Sequence, residues 1–336
     1  MKNILLNSGV VFAAVGMGTA VQAADQDDFW GRFNLSYQAA FNMSASFSGV
    51  GGYAAPGHGA AGFYNDGFVG VDSTKNAGGL TTYWGYDNAS QISGDDVFMH
   101  RSVASAINSG DTDPGVQNGV QLSYEQPLGG GKHWHWGVAA AASWTGINIS
   151  DNRTLFGNVM ATTDGYSLNG SIPPLAPYTG TVLGPGMLLQ ASPWDFHSVV
   201  NQANAAQIIG SRKIDANLYG LRLGPYLELP ICKYFSFEVG GGLSVGLLSS
   251  DFSYNDSVTI SGLPAQTHAG SGSDFGALVG GYVDAQADVH LTRHFSLTGG
   301  VEFNALGTFD QTVGNQTAHL DLSRSIYITG GISYQF

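Results

Sequence analysis

Histidines in polar segments are the residues of this sequence best suited to acid–base chemistry. Five of the nine histidines fall in such segments: His58, His100, His197, His268 and His319. A hydrolase would need one of them close to a serine and a carboxylate. No spacing along the chain places these three residue types together, so we expect no enzyme activity and assign no catalytic residue.

The motif HWHW at residues 133–136 is the clearest candidate for metal binding. His133 and His135 point to the same side of a strand, but they supply only two ligands, and protein zinc sites use three or four. Trp134 and Trp136 face the other side, next to a turn, where an aromatic residue at a membrane interface is expected. We therefore expect no metal site and no cofactor.

The composition is unusual for a soluble protein. Only 11% of the residues are charged, against about 25% in soluble domains, while 12% are aromatic and 49 are glycine. No segment after residue 21 reaches the ~18 consecutive apolar residues of a membrane helix. This combination favours a transmembrane β-barrel over the alternative, a secreted all-β sandwich. The net charge of −13 argues against nucleic acid as a partner.

The N-terminal segment has the features of a secretory signal peptide. Lys2 precedes the apolar run GVVFAAVGMGTAV, and VQA at 21–23 carries small residues where a signal peptidase cuts. We expect residues 1–23 to be removed and residues 24–336 to form the mature domain. Cys232 is the only cysteine of the chain, so no disulfide is available.

Strict alternation of apolar and polar residues recurs along the chain. In SIYITGGISYQF, for example, Ile326, Ile328, Ile332 and Tyr334 share one face. Segments of this kind are longer than the ~9–11 residues that a tilted strand needs to cross a bilayer. Eight segments show the pattern, at about 29–43, 116–126, 133–145, 219–229, 235–247, 275–291, 294–306 and 325–336.

The connections between these segments alternate in length. Short turns are expected near 128–132, 230–233 and 292–293, and long loops at about 47–114, 150–211, 254–270 and 311–317. Short turns at one end and long loops at the other are typical of outer-membrane barrels. We predict an all-β fold, a transmembrane antiparallel up-and-down β-barrel of eight strands with long extracellular loops.

Three parts of the long loops leave alternatives open. Residues 61–90 contain two short strand-like pieces, which would raise the strand count to ten if they joined the barrel; we favour an extracellular hairpin. Residues 95–108 and 192–208 could form helical lids over the barrel mouth, the second beginning with Ser192 as N-cap and Pro193 in the first turn.

The export signal, the eight alternating segments, the asymmetric loops and the terminal ISYQF together resemble the small outer-membrane barrels of the OmpA, OmpX and opacity group. The resemblance implies a monomer in the outer membrane of a Gram-negative cell, in contact with lipid and lipopolysaccharide. It also implies that Tyr334 and Phe336 form a signal for the outer-membrane assembly machinery. The opacity branch implies adhesion through the outer loops.

Charged residues on the polar faces of the strands are expected to fill the lumen, because an eight-stranded barrel is only wide enough for its own side chains. One interpretation is a hydrogen-bonded plug, and the other is a narrow, acid-lined, cation-preferring path gated around Arg222. The predicted lumen network comprises Arg32, Glu125, Arg222, Glu228, Glu238, Asp284, Asp288, His290 and Glu302.

An aromatic girdle is predicted at the periplasmic interface, formed by Phe29, Trp134, Trp136, Phe235 and Phe295. Taken together, these features predict a structural or surface-interaction role through the long loops, with a possible extracellular ligand. A narrow cation-preferring pore is the first alternative, and a barrel hydrolase acting on outer-membrane lipid is the weaker second one.

Overall fold

The computed structural model describes residues 31–54, 62–70, 78–182, 184–193 and 196–336. The predicted signal peptide, Phe29 and His58 lie outside the described residues. The described residues form one 3-10 helix, Ala89–Gln91, and twenty strands in chain order: β1 Arg32–Phe41, β2 Ser44–Ser48, β3 Gly62–Phe63, β4 Gly67–Val69, β5 Leu80–Thr81, β6 Trp84–Tyr86, β7 Ile92–Ser93, β8 Asp96–Ala104, β9 Gln117–Gly131, β10 Trp134–Asp151, β11 Leu155–Ser167, β12 Tyr178–Thr179, β13 Leu189–Gln190, β14 Phe196–Cys232, β15 Phe235–Ile260, β16 Gln266–His290, β17 Phe295–Ala305, β18 Thr308–Val313, β19 Gln316–Asp321 and β20 Ser325–Gln335.

Eight of these strands close into a ring of antiparallel neighbours. Their order is β10-β9-β1-β20-β17-β16-β15-β14, and β14 pairs with β10 to complete the circle. Closure leaves no free edge within the ring, which is what a bilayer requires of strands. The prediction of eight strands is confirmed, and ten is wrong, because the strands of residues 62–86 belong to separate small sheets outside the ring.

The outer surface of the ring is a belt of exposed apolar side chains. Leu35 is 56% exposed, Leu223 58% and Val301 52%, although all three stand in regular strands. A soluble protein would bury such residues, whereas hydrocarbon chains cover them at no cost. The ring is therefore a transmembrane barrel. Among the described residues, no helix is long and apolar enough to cross a membrane.

Much of the segments predicted as loops at 150–211 and 254–270 is strand, so that part of the prediction is wrong. β14 has 37 residues, β15 has 26 and β16 has 25. The reason is that the alternation continues above the membrane: Ala206, Ile208, Ile214 and Ala216 are all buried. We call the end of the barrel with these extensions the outer end and the opposite one the turn end.

The helical lids are also absent from the described parts of residues 95–108 and 192–208. The first segment contains β8, and the second contains the beginning of β14. In β8 the side chains of Val97 and Met99 are both fully buried, a spacing of two that only a strand provides. Packing has thus overridden the local helix signals of Ser192 and Pro193.

An apolar core fills the outer end of the barrel. β2, β18 and β19 form a three-stranded sheet whose buried side chains join those of the extended ring strands. Phe47 and Phe252 stack with ring centroids 5.7 Å apart, and both are fully buried. The predicted loop at 311–317 is the hairpin between β18 and β19.

A second apolar core lies in a structure beyond the outer end of the barrel. We call this structure the outer lobe (the described residues of 62–104 and 155–202). β11 pairs with the first residues of β14 on one side and with β8 on the other, and the small sheets of β3–β6, β12 and β13 cover one face. Trp84, Met99, Tyr166 and Leu189 are buried between these layers. The outer lobe is continuous with the barrel through β14.

Candidate functional site

The lower layer of the lumen is built around Arg32, close to the turn end. Its guanidinium lies 2.6 Å from Glu238, 3.2 Å from Asp288 and 3.5 Å from Glu228, and its Nε donates to Glu125 at 2.5 Å. The five residues come from β1, β9, β14, β15 and β16, so one side chain links five of the eight barrel strands.

The charge balance of this layer is strongly uneven. One cation faces four carboxylates, of which Asp288 is fully buried and Glu238 nearly so. Further donors compensate in part: Asn34 donates to Glu125, and Gln286 donates to Asp288 at 3.2 Å. Buried carboxylates without a cation are very costly, so the barrel depends on Arg32 to hold this layer together.

A second layer lies at middle depth around Arg222. Its guanidinium forms an ion pair with Glu302 across the lumen and lies 4.9 Å from the ring centre of Tyr282. Asp284 lines the same interior region. His290 is apart from both layers, at the turn end, where its Nδ1 lies 2.7 Å from the Ser296 hydroxyl.

Little open space remains between these layers. A cavity of about 30 Å³ lies between Arg222 and the carboxylates of Glu125 and Glu238, room for roughly two water molecules. Above Arg222, the buried side chains of Leu218, Leu248 and Leu306 begin the apolar core that fills the outer end. Two charged layers of the lumen are therefore followed by a core that is mainly apolar.

A third charged cluster was missed by the sequence reasoning, because Arg212 fell between the predicted loop at 150–211 and the predicted strand at 219–229. Arg212 is fully buried in the outer core, where it donates to Asp256 at 2.7 Å and to the Arg153 carbonyl at 3.0 Å. Asp151 receives a hydrogen bond from Arg153 at 2.8 Å. The buried alternation of Ile208 and Ile214 on either side of Arg212 was the available signal.

The predicted interfacial aromatics lie on the outside of the barrel beside its short turns. Trp134, Trp136, Phe235 and Phe295 are all between 36% and 48% exposed. Phe336 packs edge-on against Phe33 and Tyr334, with ring centroids 5.6 Å and 5.3 Å apart. These positions suit a membrane interface, and the role of Tyr334 and Phe336 in assembly stays a prediction.

Three of the histidines from polar segments pair with aspartates. His100 lies 2.6 Å from Asp66, while His197–Asp164 and His319–Asp310 are 2.5 Å apart. His268 instead contacts the Gly52 carbonyl at 3.0 Å. The His197 pair lines a sizeable pocket, which makes its surroundings the candidate site of the outer lobe.

We call this feature the outer pocket, a cavity of about 460 Å³ on one face of β8, β11 and β14. The strand register explains its composition: Arg101 on β8 and Val199 on β14 both pair with Thr162 on β11. Two residues along, Asp164 pairs with His197. Side chains two residues apart share a face, so these groups converge although they are distant in sequence.

Asp164 is held by two hydrogen bonds at the base of the outer pocket. Tyr64 donates to one carboxylate oxygen at 2.5 Å, and His197 Nδ1 lies 2.5 Å from the other. The Tyr64 hydroxyl is also 2.7 Å from that of Tyr166. Burial, and then the neighbouring Asp164, raise the pKa of Tyr64 far above its ordinary value, so this phenol stays a neutral donor.

Arg101 is the exceptional residue of the outer pocket. Its Nε is buried and has no hydrogen-bond partner, and no ion pair of Arg101 is found within the described part of the chain. The nearby carboxylate of Asp164 already has two partners. A guanidinium with free donors in a partly enclosed pocket is a site for an anion.

No family model matches this chain, and no curated protein matches it either. Solved structures with similar folds include Ail, the attachment invasion locus protein of Yersinia pestis (10% identity, 91% of this chain and 99% of that chain, TM-score 0.30). The outer membrane protease OmpT from Escherichia coli is 10% identical over 94% of this chain and 99% of that chain, with a TM-score of 0.34. The outer membrane protein OprG from Pseudomonas aeruginosa is 9% identical over 90% and 96%, with a TM-score of 0.29.

At these identities and scores, the likeness carries no information about function. The closed eight-stranded ring and its apolar belt decide the fold class by themselves. This chain is an outer-membrane β-barrel. The outer lobe continues β14 beyond the closed ring.

Proposed function

We propose that this outer-membrane barrel does not conduct and serves to present a recognition site, with the outer pocket binding an anionic group of an extracellular ligand. The observation that carries this proposal is the unpaired Arg101. Keeping a buried guanidinium nitrogen without a partner is unfavourable, and an anion in the pocket would remove that cost. The protein is proposed to act as a monomer surrounded by lipid and lipopolysaccharide.

The arrangement of the pocket supports selectivity for an anion. Asp164 is occupied by Tyr64 and His197, so it does not compete for Arg101. Charge-assisted hydrogen bonds from a guanidinium contribute about 1.5–3 kcal/mol each, and the planar group suits a carboxylate, sulfate or phosphate. The apolar sides of Met160 and Val199 would contact the rest of the ligand.

The filled lumen argues against the pore alternative. An ion that crossed the barrel would have to separate Arg32 from its carboxylates and Arg222 from Glu302, and then displace a fully buried apolar core. Each step exposes unpaired buried charge or opens packed side chains, and both are costly.

Binding without catalysis is our proposal for the His197–Asp164 pair. The same type of pair recurs at His100–Asp66 and His319–Asp310, where both histidines are about half exposed. An Asp–His pair in this chain is therefore no special mark of a general base. In the outer pocket, we propose that His197 and Tyr64 fix Asp164 and keep it away from Arg101.

The proposal is tested on cells that display the full chain. We expect attachment to a panel of immobilised extracellular proteins and sulfated polysaccharides, and a loss of about tenfold or more in the Arg101→Met variant, because a charge-assisted contact is removed. Uptake of a small hydrophilic dye, measured on the same cells, should not change.

Arg293→Met is the matched control, since Arg293 is an exposed arginine at the turn end. It should attach like the original protein. Attachment that is independent of Arg101, or no attachment to any member of the panel, would overturn the proposed function.

A further inference from the structure

The outer lobe exposes one unpaired strand edge next to the outer pocket. Residues 196–202 at the beginning of β14 pair with β11 on one side. On the other side β14 meets β15 only from Ala206 onward, where it faces Ile260 at the end of that strand. Within the described part of the chain, the backbone of 196–202 therefore has no neighbour along this second side.

This edge lacks the usual protection against further strand pairing. Its sequence, FHSVVNQ, contains no lysine and no proline, two residues that natural edge strands use to prevent pairing. Phe196, Val199 and Val200 are 45%, 50% and 52% exposed. Apolar β-branched residues on an open edge provide a template for one more strand.

The edge and the outer pocket are parts of one surface. His197 and Val199 belong to both, because they line the pocket and stand on the edge strand. Across the sheet, Arg101, Thr162 and Val199 lie in one row. A strand added beside Val199 would lie three strand spacings from Arg101, about 14 Å between Cα atoms at ~4.8 Å per strand, a gap that an arginine and a glutamate side chain together bridge.

We infer that the ligand of the outer pocket is an extended polypeptide segment that adds as a strand to residues 196–202 and presents an acidic side chain to Arg101. This inference rests on the proposed function and specifies its ligand. The backbone edge supplies hydrogen bonds that are independent of sequence, and the pocket selects the side chain that faces it.

Charge complementarity decides between possible occupants. Arg101 is a cation without an ion pair among the described residues, and the edge strand itself has no acidic residue among 196–202. A second copy paired edge to edge would bring no carboxylate from this strand to Arg101. A polypeptide with an acidic residue at alternate positions satisfies both the edge and the guanidinium.

The test uses the full chain in lipid nanodiscs and a library of random linear 12-residue peptides. We expect selected peptides to contain Asp or Glu and to lose about tenfold or more in affinity for Arg101→Met. Backbone N-methylation of a selected peptide, position by position, should weaken binding at alternate residues only, because every second N–H of an added strand faces its neighbour. Methylation changes the ligand and leaves the folding of the protein unaffected.

The possible outcomes test the anion site at Arg101 and strand addition to residues 196–202 separately. Peptides that depend on Arg101 but tolerate methylation at every position would overturn strand addition while supporting the anion site. Attachment to sulfated polysaccharides alone, with no peptide selected, would do the same. Selected peptides that bind Arg101→Met equally would overturn both.

Two further results would overturn the choice of occupant. One is a dimer in detergent that excludes the peptides, which would assign the edge to a second copy. The other is peptide binding that appears only after residues 55–61 are replaced by a Gly-Ser linker of equal length, which would assign the edge to the chain itself.

Discussion

Replacing Arg32 with methionine is expected to lower the free energy of unfolding of the barrel by about 3–5 kcal/mol. The reason is that Glu125, Glu228, Glu238 and Asp288 would remain buried without their shared cation. Methionine keeps much of the volume of the side chain, so the loss reports on charge more than on packing. Urea unfolding of the protein in lipid, followed by tryptophan fluorescence and by the electrophoretic band shift, measures the effect.

Two companion variants make this result specific. Arg293→Met removes an exposed arginine and should change the stability by no more than about 0.5 kcal/mol. Adding Glu238→Gln to Arg32→Met removes one unpaired carboxylate and should recover part of the loss. A stability of Arg32→Met equal to that of the original protein would show that the lower layer does not hold the barrel.

Replacing Trp84 with alanine is expected to unfold the outer lobe while the barrel stays intact. Trp84 is fully buried, its ring lies 5.8 Å from that of Tyr86 and 4.9 Å from that of Tyr178, and its Nε1 donates to the Met187 carbonyl at 2.8 Å. Truncating a buried tryptophan costs about 3–5 kcal/mol, a large amount for the small core of the lobe. Hydrogen exchange should rise over residues 78–104 and 155–191, with no change in β1, β16 and β20.

Trp144→Ala is the matched control, because Trp144 is 40% exposed on the outside of the barrel. It should leave hydrogen exchange in the outer lobe unchanged. If Trp84→Ala also loosened the barrel strands, the lobe and the barrel would form one cooperative unit, and the lobe could not be described as a separate recognition structure.

The barrel was predictable because its signal is local. Alternation along each strand identified the outward residues, such as Leu35 and Val301, and the inward ones, such as Arg32 and Glu302, before any pairing was known. The lower layer around Arg32 was also predictable, because inward charges of opposite sign in a narrow lumen have to pair with each other. Which acid meets which arginine depends on strand register, which the sequence does not state.

The outer pocket could not be predicted in the same way. Arg101, Asp164 and His197 lie 63 and 33 residues apart in sequence and meet only through the pairing of β8, β11 and β14. Residues 192–208 also carry a local helix signal, which the open side of β11 overrides by offering a strand partner. A search for Ser, His and acid at fixed spacings could not detect groups that converge across a sheet.

The sequence also contains a weaker pattern that indicates the extension of the barrel strands beyond the membrane. Ile208, Ile214 and Leu218 preserve the alternation of β14 across the supposed loop boundary. Arg212 and Lys213 interrupt it, and charged residues suggest a loop when no partner is known. In the structure, Arg212 has Asp256 as its partner and is fully buried.

The central claim is that the barrel does not conduct ions. Planar-bilayer recording of the purified, folded protein tests this claim most directly, because the sequence is compatible with both a plug and a cation path. We predict no discrete conductance steps for the original protein, and none for Arg222→Ala, since the apolar core around Phe47 and Phe252 still closes the outer end. Stable, cation-selective steps that increase in Arg222→Ala, from protein whose band shift shows an intact barrel, would contradict the account and favour the pore.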